Sequence, residues 1–214
     1  MVHALWHGLP IHEWRGEKDT ASGWSDAVMA LASEQGLAQQ LAEGTFRRGP
    51  RLLTQGQAEA GRALVHQGLA AYRATGAEVR RPYYLALLAE TYGHVGQTQD
   101  GLAALADAMS ATDETGDRWW EAELYRLKGE LQLAPSVDQH VAAETCFHQA
   151  LDIARRQQAK SLELRAAMSL SRLWQQQGKR VEARELLVPI YGWFTEGFDT
   201  ADLQEAKALL EELS

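Results

Sequence analysis

The sequence predicts an all-α fold: a solenoid of antiparallel helix pairs, roughly four to five repeats of about forty residues with a C-terminal capping helix. Gly16, Gly36, Gly56, Gly76, Gly96 and Gly116 stand twenty residues apart. Glycine tolerates the left-handed backbone that commonly ends a helix, so each interval holds one helix of about four turns and its stop. Superimposing the forty-residue double step aligns small residues: Gly49, Ala89, Gly129 and Ser171 in the first helix of each pair, Gly61, Gly101, Ala143 and Ala183 in the second. Val65, Leu105, Phe147 and Leu187 follow four residues later, then Gly68, Ala108, Ala150 and Ile190. Small residues recur where two helices must touch closely. Few prolines and abundant Ala, Leu, Gln and Glu favour helix over strand.

Residues 1–18 are an atypical N-terminal segment, in which Leu5, Trp6, Leu9, Ile11 and Trp14 suit a short helix that Pro10 kinks or confines to its start. In register, Leu9 and His12 fall where later units have Ala89 and Tyr92, as in a worn end repeat. Residues 19–35 carry Ala21, Trp24, Val28 and Leu31 on one stripe and stop at Gly36. A helix over 37–48 directs Leu41, Thr45 and Phe46 to the core, and Gly49-Pro50 predicts a kink or two shorter pieces, because proline inside a helix costs about 3 kcal/mol. The next helix, 57–75, places Leu64, Leu69 and Tyr72 inward.

Pro82 suits the first turn of a helix that runs to His94 with Leu85, Leu88, Ala89 and Tyr92 aligned. Its partner opens at 97–100, presents Leu102, Leu105, Ala108, Met109 and Thr112, and ends at Gly116. Residues 118–133 gather Trp119, Trp120, Leu124, Leu127 and Leu131, and a longer turn at 134–138 shifts the phase. Over 139–158, Ala143, Phe147, Ala150, Leu151 and Ala154 mark one face, with Phe147 a principal core residue. Residues 161–177 and 180–194 make the last pair, separated by Gly178-Lys179. The capping helix lies within 199–214: Leu203, Ala206, Leu210 and Leu213 face one side, Glu205, Lys207, Glu211 and Glu212 the other, and Asp199 or Thr200 caps it.

The 214 residues are read as one repeat domain, 1–214. With 29 acidic and 21 basic residues the formal charge is −8, which argues against direct nucleic-acid or anionic-membrane binding. Cys146 is the only cysteine, so no intrachain disulfide or CxxC site can form, and it reads as a small core filler. Without a signal-peptide pattern or a long apolar run, the expectation is a soluble, cytoplasmic protein. The atypical first segment and the last helix are the candidate contacts for a homodimer.

Ala143, Phe147 and Ala150 resemble the second-helix signature of tetratricopeptide (TPR) repeats, as do Gly101, Leu105, Ala108 and the pair Ala183, Leu187; Leu85, Leu88, Ala89 and Tyr92 resemble the first-helix pattern. Arg48, Gly68 and Lys128 depart from that consensus. The resemblance implies a right-handed superhelix whose concave side is lined by the first helix of each pair. Residues 84–108, 115–123 and 147–213, above all the segment 191–200, further resemble the C-terminal helical repeats of bacterial signalling ATPases that carry the names adenylate or guanylate cyclase, or ATP-dependent transcriptional regulator. In such proteins the catalytic domains precede the repeats.

No phosphate-binding, dinucleotide-binding, nucleophile-elbow or H-E-x-x-H motif occurs, so no catalytic residue, cofactor or metal is assigned and the chain is read as non-enzymatic. His3, His7 and His12 make only a weak metal arrangement and read as solvent-facing or helix-end histidines. Trp119 and Trp120 invite a ligand-binding aromatic reading, against which stands one ring packed inward and one freer. Tyr83, Ala86, Glu90, Glu123, Arg126, Glu130, Arg165, Met168, Arg172 and Gln176 are placed toward the concave groove. That mix suits a bound peptide or helix, hence a protein-interaction scaffold or sensor arm in bacterial signalling or transcriptional control. The alternative is a small-ligand-sensing module on the repeats.

Overall fold

The computed structural model describes residues 2–15, 17–133 and 137–214, which form eleven α-helices with no strand among the described residues. They fall into two compact units, Met1–Gln97 and Thr98–Ser214. The first unit holds α1 (Val2–Trp14), α2 (Lys18–Gln35), α3 (Ala38–Thr54), α4 (Ala58–Ala74) and α5 (Arg81–His94). The second holds α6 (Thr98–Thr115), α7 (Glu121–Gln132), α8 (Val137–Gln157), α9 (Lys160–Gln176), α10 (Arg180–Tyr191) and α11 (Ala201–Glu212).

The glycine ladder ends helices as its spacing predicts. Gly36, Gly56, Gly76, Gly96 and Gly116 all lie in the left-handed region, with φ from 65° to 80°; Gly16 is outside the described residues. After three of these rungs the next amide reaches back five residues: Leu37 to the Ala32 carbonyl at 2.9 Å, Gln57 to Leu52 at 2.9 Å and Gln97 to Tyr92 at 2.8 Å. This wrap closes the open carbonyls of a helix end.

In the first unit, a Cβ at Gly49 would stand 2.3 Å from Val65 Cγ2 and 2.7 Å from the Gly61 carbonyl oxygen, and one at Gly68 2.5 Å from the Phe46 nitrogen. Partner numbers rise on α4 as they fall on α3, so the pair is antiparallel and in backbone contact. In the second unit a Cβ at Gly129 would stand 2.5 Å from the Phe147 ring, and Ser171 Oγ donates to the Ala183 carbonyl at 3.1 Å. These are the small and bulky positions of the repeat, and Val65, Phe147 and Leu187 are fully buried. Within each unit the first helices of successive pairs also pack together, α3 on α5, α7 on α9 and α9 on α11.

Neither Pro10 nor Pro50 ends or begins a helix. α3 continues through Pro50 to Thr54, where the glycine-lined contact with α4 outweighs the lost hydrogen bond, and α1 runs on through position 10 to Trp14. Side chains also differ in places. On α4 the buried hydrophobic side chains are Val65 and Tyr72, while Leu64 and Leu69 are half-buried. On α11 Leu209 joins Leu203, Ala206 and Leu213 in the core, and Leu210 is half-buried. Thr200 is the N-cap of α11, but its hydroxyl donates to the Gly197 carbonyl at 2.7 Å and does not cap an amide.

Candidate functional site

In the second unit the first helices of successive pairs bring a stripe of charge together. Positions three, four and seven apart share a helix face, so α7 presents Glu123, Arg126 and Glu130, α9 presents Arg165, Ser169 and Arg172, and α11 presents Asp202 and Glu205. Arg126 forks Glu123, with Nε on Oε2 at 2.9 Å and Nη2 on Oε1 at 2.7 Å, and its Nη1 also donates to Glu130. Ser169 donates to Glu130 at 2.8 Å. Arg165 bridges three helices, donating to Glu123 at 3.2 Å and to Asp202 at 2.7 Å. Arg172 reaches Glu205 at 2.9 Å, so α9 is a basic helix between two acidic ones.

Glu123 is 2 % exposed. Burial alone would favour its neutral acid, but the charge and hydrogen bonds of Arg126, then of Arg165, hold its carboxyl below the usual carboxylate range. Arg165 loses hydration in the same place, yet Glu123 and Asp202 raise its pKa further and fix the guanidinium as charged. The floor is thus a set of charges that satisfy one another, and proton transfer from it is disfavoured. What the face offers an outside molecule is its edge, where the side chains of Glu130, Arg172 and Glu205 are 40, 44 and 59 % exposed.

Of the residues assigned to a groove from sequence, Glu123, Arg126, Glu130 and Arg165 meet directly, and Arg172 extends the row toward α11. Gln176 is exposed on α9, and Glu90 is half-buried on α5 in the other unit. Tyr83, Ala86 and Met168 are buried; Met168 belongs to the core cluster around Phe147 and Leu170. Burial therefore leaves Glu90, Glu130, Arg165, Arg172 and Gln176 as the members able to touch a partner. Ser169, Asp202 and Glu205 were missed, although the repeat register aligns Ser169 with the inward stripe. By sequence Glu205 falls on the polar side of the last helix, with Lys207, Glu211 and Glu212.

Trp119 and Trp120 lie in the turn before α7, not within a helix. Trp120 is buried, Trp119 is 39 % exposed, and their ring centroids are 4.9 Å apart. Cys146 is buried, donates to Gln132 Oε1 at 3.3 Å, and has its thiol pKa pushed up by that burial. His12 Nδ1 donates to Glu17 at 2.5 Å and its ring meets Trp24 edge-on, His7 is exposed, and the His3 side chain is outside the described residues. Among the described residues no three His, Cys, Asp or Glu side chains converge as metal ligands, and no helix is long and apolar enough to cross a membrane.

No protein-family model matches the chain. An uncharacterized protein of Rhizobium meliloti (strain 1021) is 32 % identical over 132 residues, covering 58 % of this chain and 13 % of that protein; the chain thus spans a small part of the relative's length. Among solved structures, TPR-like, nearly identical repeats of the kinesin light chain type from Podosopora anserina superpose with a TM-score of 0.53 at 17 % identity, over 99 % of this chain and 95 % of that one. A second crystal structure of those repeats gives 0.54 at 18 %, over 89 % and 93 %. At such identities the likeness is one of fold: the described residues have a helical, TPR-like repeat fold.

Proposed function

We propose that the chain is a non-catalytic interaction scaffold that holds a peptide or a helix of another protein along its first helices. The observation that carries this reading is the row on α7, α9 and α11, a self-satisfied floor edged by the exposed side chains of Glu130, Arg172 and Glu205. A floor of this kind gives a partner fixed polar register, and the edge gives it something to bind. In this reading residues 1–214 act as one repeat array closed by α11, in the cytoplasm and without nucleic acid or a cofactor, and a homodimer through the array ends is compatible with it.

The context we propose is bacterial signalling or transcriptional control, with the repeats serving as the helical arm of such machinery. Support comes from the resemblance of 191–200 to the arms of signalling ATPases and from the match to a short part of a much longer bacterial protein. The test is quantitative capture of partners by the wild-type chain and by the Glu130→Arg, Arg172→Glu double variant at equal helicity. Proteins held by the first and lost by the second support the groove; unchanged capture refutes it.

A second reading, a small-ligand sensor, draws on the adjoining rings of a buried Trp120 and a part-exposed Trp119, tilted at 55° to one another. It requires a thermal shift with one class of metabolite that disappears on Trp119→Ala. A broad panel that leaves the melting temperature unmoved counts against it.

A further inference from the structure

In the forty-residue register Glu43 of α3 stands where Glu123 stands in α7, and both are buried, at 1 and 2 % exposure. Their surroundings differ. Glu123 has two arginines, Arg126 and Arg165; the register equivalents beside Glu43 are Phe46 and Tyr83. Among the described residues Glu43 has no ion pair. Its carboxylate accepts the Trp6 indole N–H at 2.5 Å and a long 3.4 Å bond from Gln39 Nε2. Close by lies the buried Tyr84 hydroxyl, its pKa raised by burial first, and by the charge and hydrogen bonding of Glu43 as well. Arg47 and Arg80 lie over ring faces, 5.9 Å from the centroid of Tyr84 and 5.1 Å from that of Trp6.

Trp6 belongs to α1, which packs on α2 where Gly8 meets the Trp24 ring, but among its described side chains only Leu9 is buried, while Ala4, His7 and Ile11 are exposed. A neutral indole N–H satisfies one carboxylate oxygen. A charged fork donor satisfies both and bonds about twice as strongly, as Arg126 shows at the equivalent carboxylate.

We propose that α1 is a latch over a guanidinium site: the Trp6 indole holds the Glu43 carboxylate, and an arginine side chain of a bound segment, taking Glu43 and the Tyr84 hydroxyl as its polar contacts, displaces α1. The site lies in the first unit and stands independently of the α7–α9–α11 edge. The test is hydrogen exchange of the full chain with N-acetyl-arginine amide, and with its neutral isostere N-acetyl-citrulline amide, as probes. The arginine probe should speed exchange over residues 2–14 in proportion to its occupancy, leaving α3 and α4 unchanged, and the citrulline probe should not. Glu43→Gln should abolish the response while α4 exchanges at its wild-type rate. Trp6→Phe, which keeps the carboxylate and removes the latch donor, should exchange faster over 2–14 without any probe and saturate at lower arginine probe concentration. Equal responses to the two probes, no response in the wild type, a normal response in Glu43→Gln, or an unchanged Trp6→Phe would each overturn the proposal.

Discussion

Phe147 and Gly129 show what the repeat asks of single residues. The ring is fully buried and fills the space that a Cβ at 129 would need, 2.5 Å away. Phe147→Ala should therefore cost about 3–5 kcal/mol in urea unfolding. Gly129→Ala gains about 1 kcal/mol of helix propensity but drives a methyl into an immobile ring, so it should destabilise; a more stable variant would contradict the packing. This pair was legible in the sequence because small and bulky residues recur at one stride. The repeat likewise marks Val65, which is buried, whereas Leu64 and Leu69, expected inward from the helical stripe, are half-buried, since a shift of one residue turns a side chain by about 100°. Glu123 carries a pH prediction. Its folded pKa is depressed, so its contribution is fully present above the ordinary carboxylate pKa of about 4.3 and is lost as the pH falls through the lower folded value. Melting temperature against pH should fall on that acid limb in the wild type and fall less in Glu123→Gln.

At the scale of elements, helix ends were readable wherever glycine set them, and the described rungs all adopt left-handed φ. Ends set by tertiary contacts were not. Pro50 sits inside an unbroken α3 because packing decides helix continuity there, and the paired tryptophans form the turn before α7 though their residue types read as helix interior. The docking of α11 was legible only by half: its apolar side was plain, whereas its polar bonds depend on which residues of α9 face it. Arg165 ties α11 to α7 through Asp202 and Glu123. Replacing it leaves Glu123 with Arg126 alone, and because the Arg165 side chain is 20 % exposed the cost should be about 1–3 kcal/mol, below that of a fully buried pair. Arg165→Met should accordingly raise amide exchange across 201–212 ahead of α9; an α11 that stays at its wild-type protection would show that its leucines alone hold it.

Across the whole molecule charge is unevenly divided. Residues 1–97 hold nine acidic and nine basic side chains, and residues 98–214 hold twenty and twelve, so the net −8 resides in the second unit and a polyanion is disfavoured there. Stability should be divided as well. In a repeat protein each helix pair leans on its neighbours, and energy adds as local terms and nearest-neighbour contacts. Phe147 belongs to one core cluster that draws on α8, α9, α10 and α11, while Val65 and Phe46 pack around the α3–α4 contact. Loss of the Phe147 ring should therefore speed exchange in α7, which meets the ring at Gly129, and in the helices that share its core cluster, and leave the amides of α3 and α4 near their wild-type rates. The reciprocal variant, Val65→Ala, should do the opposite. If Phe147→Ala lowered protection equally in all of these helices, folding would be all-or-none over 214 residues, and the repeat would be a pattern of sequence without being the unit of stability.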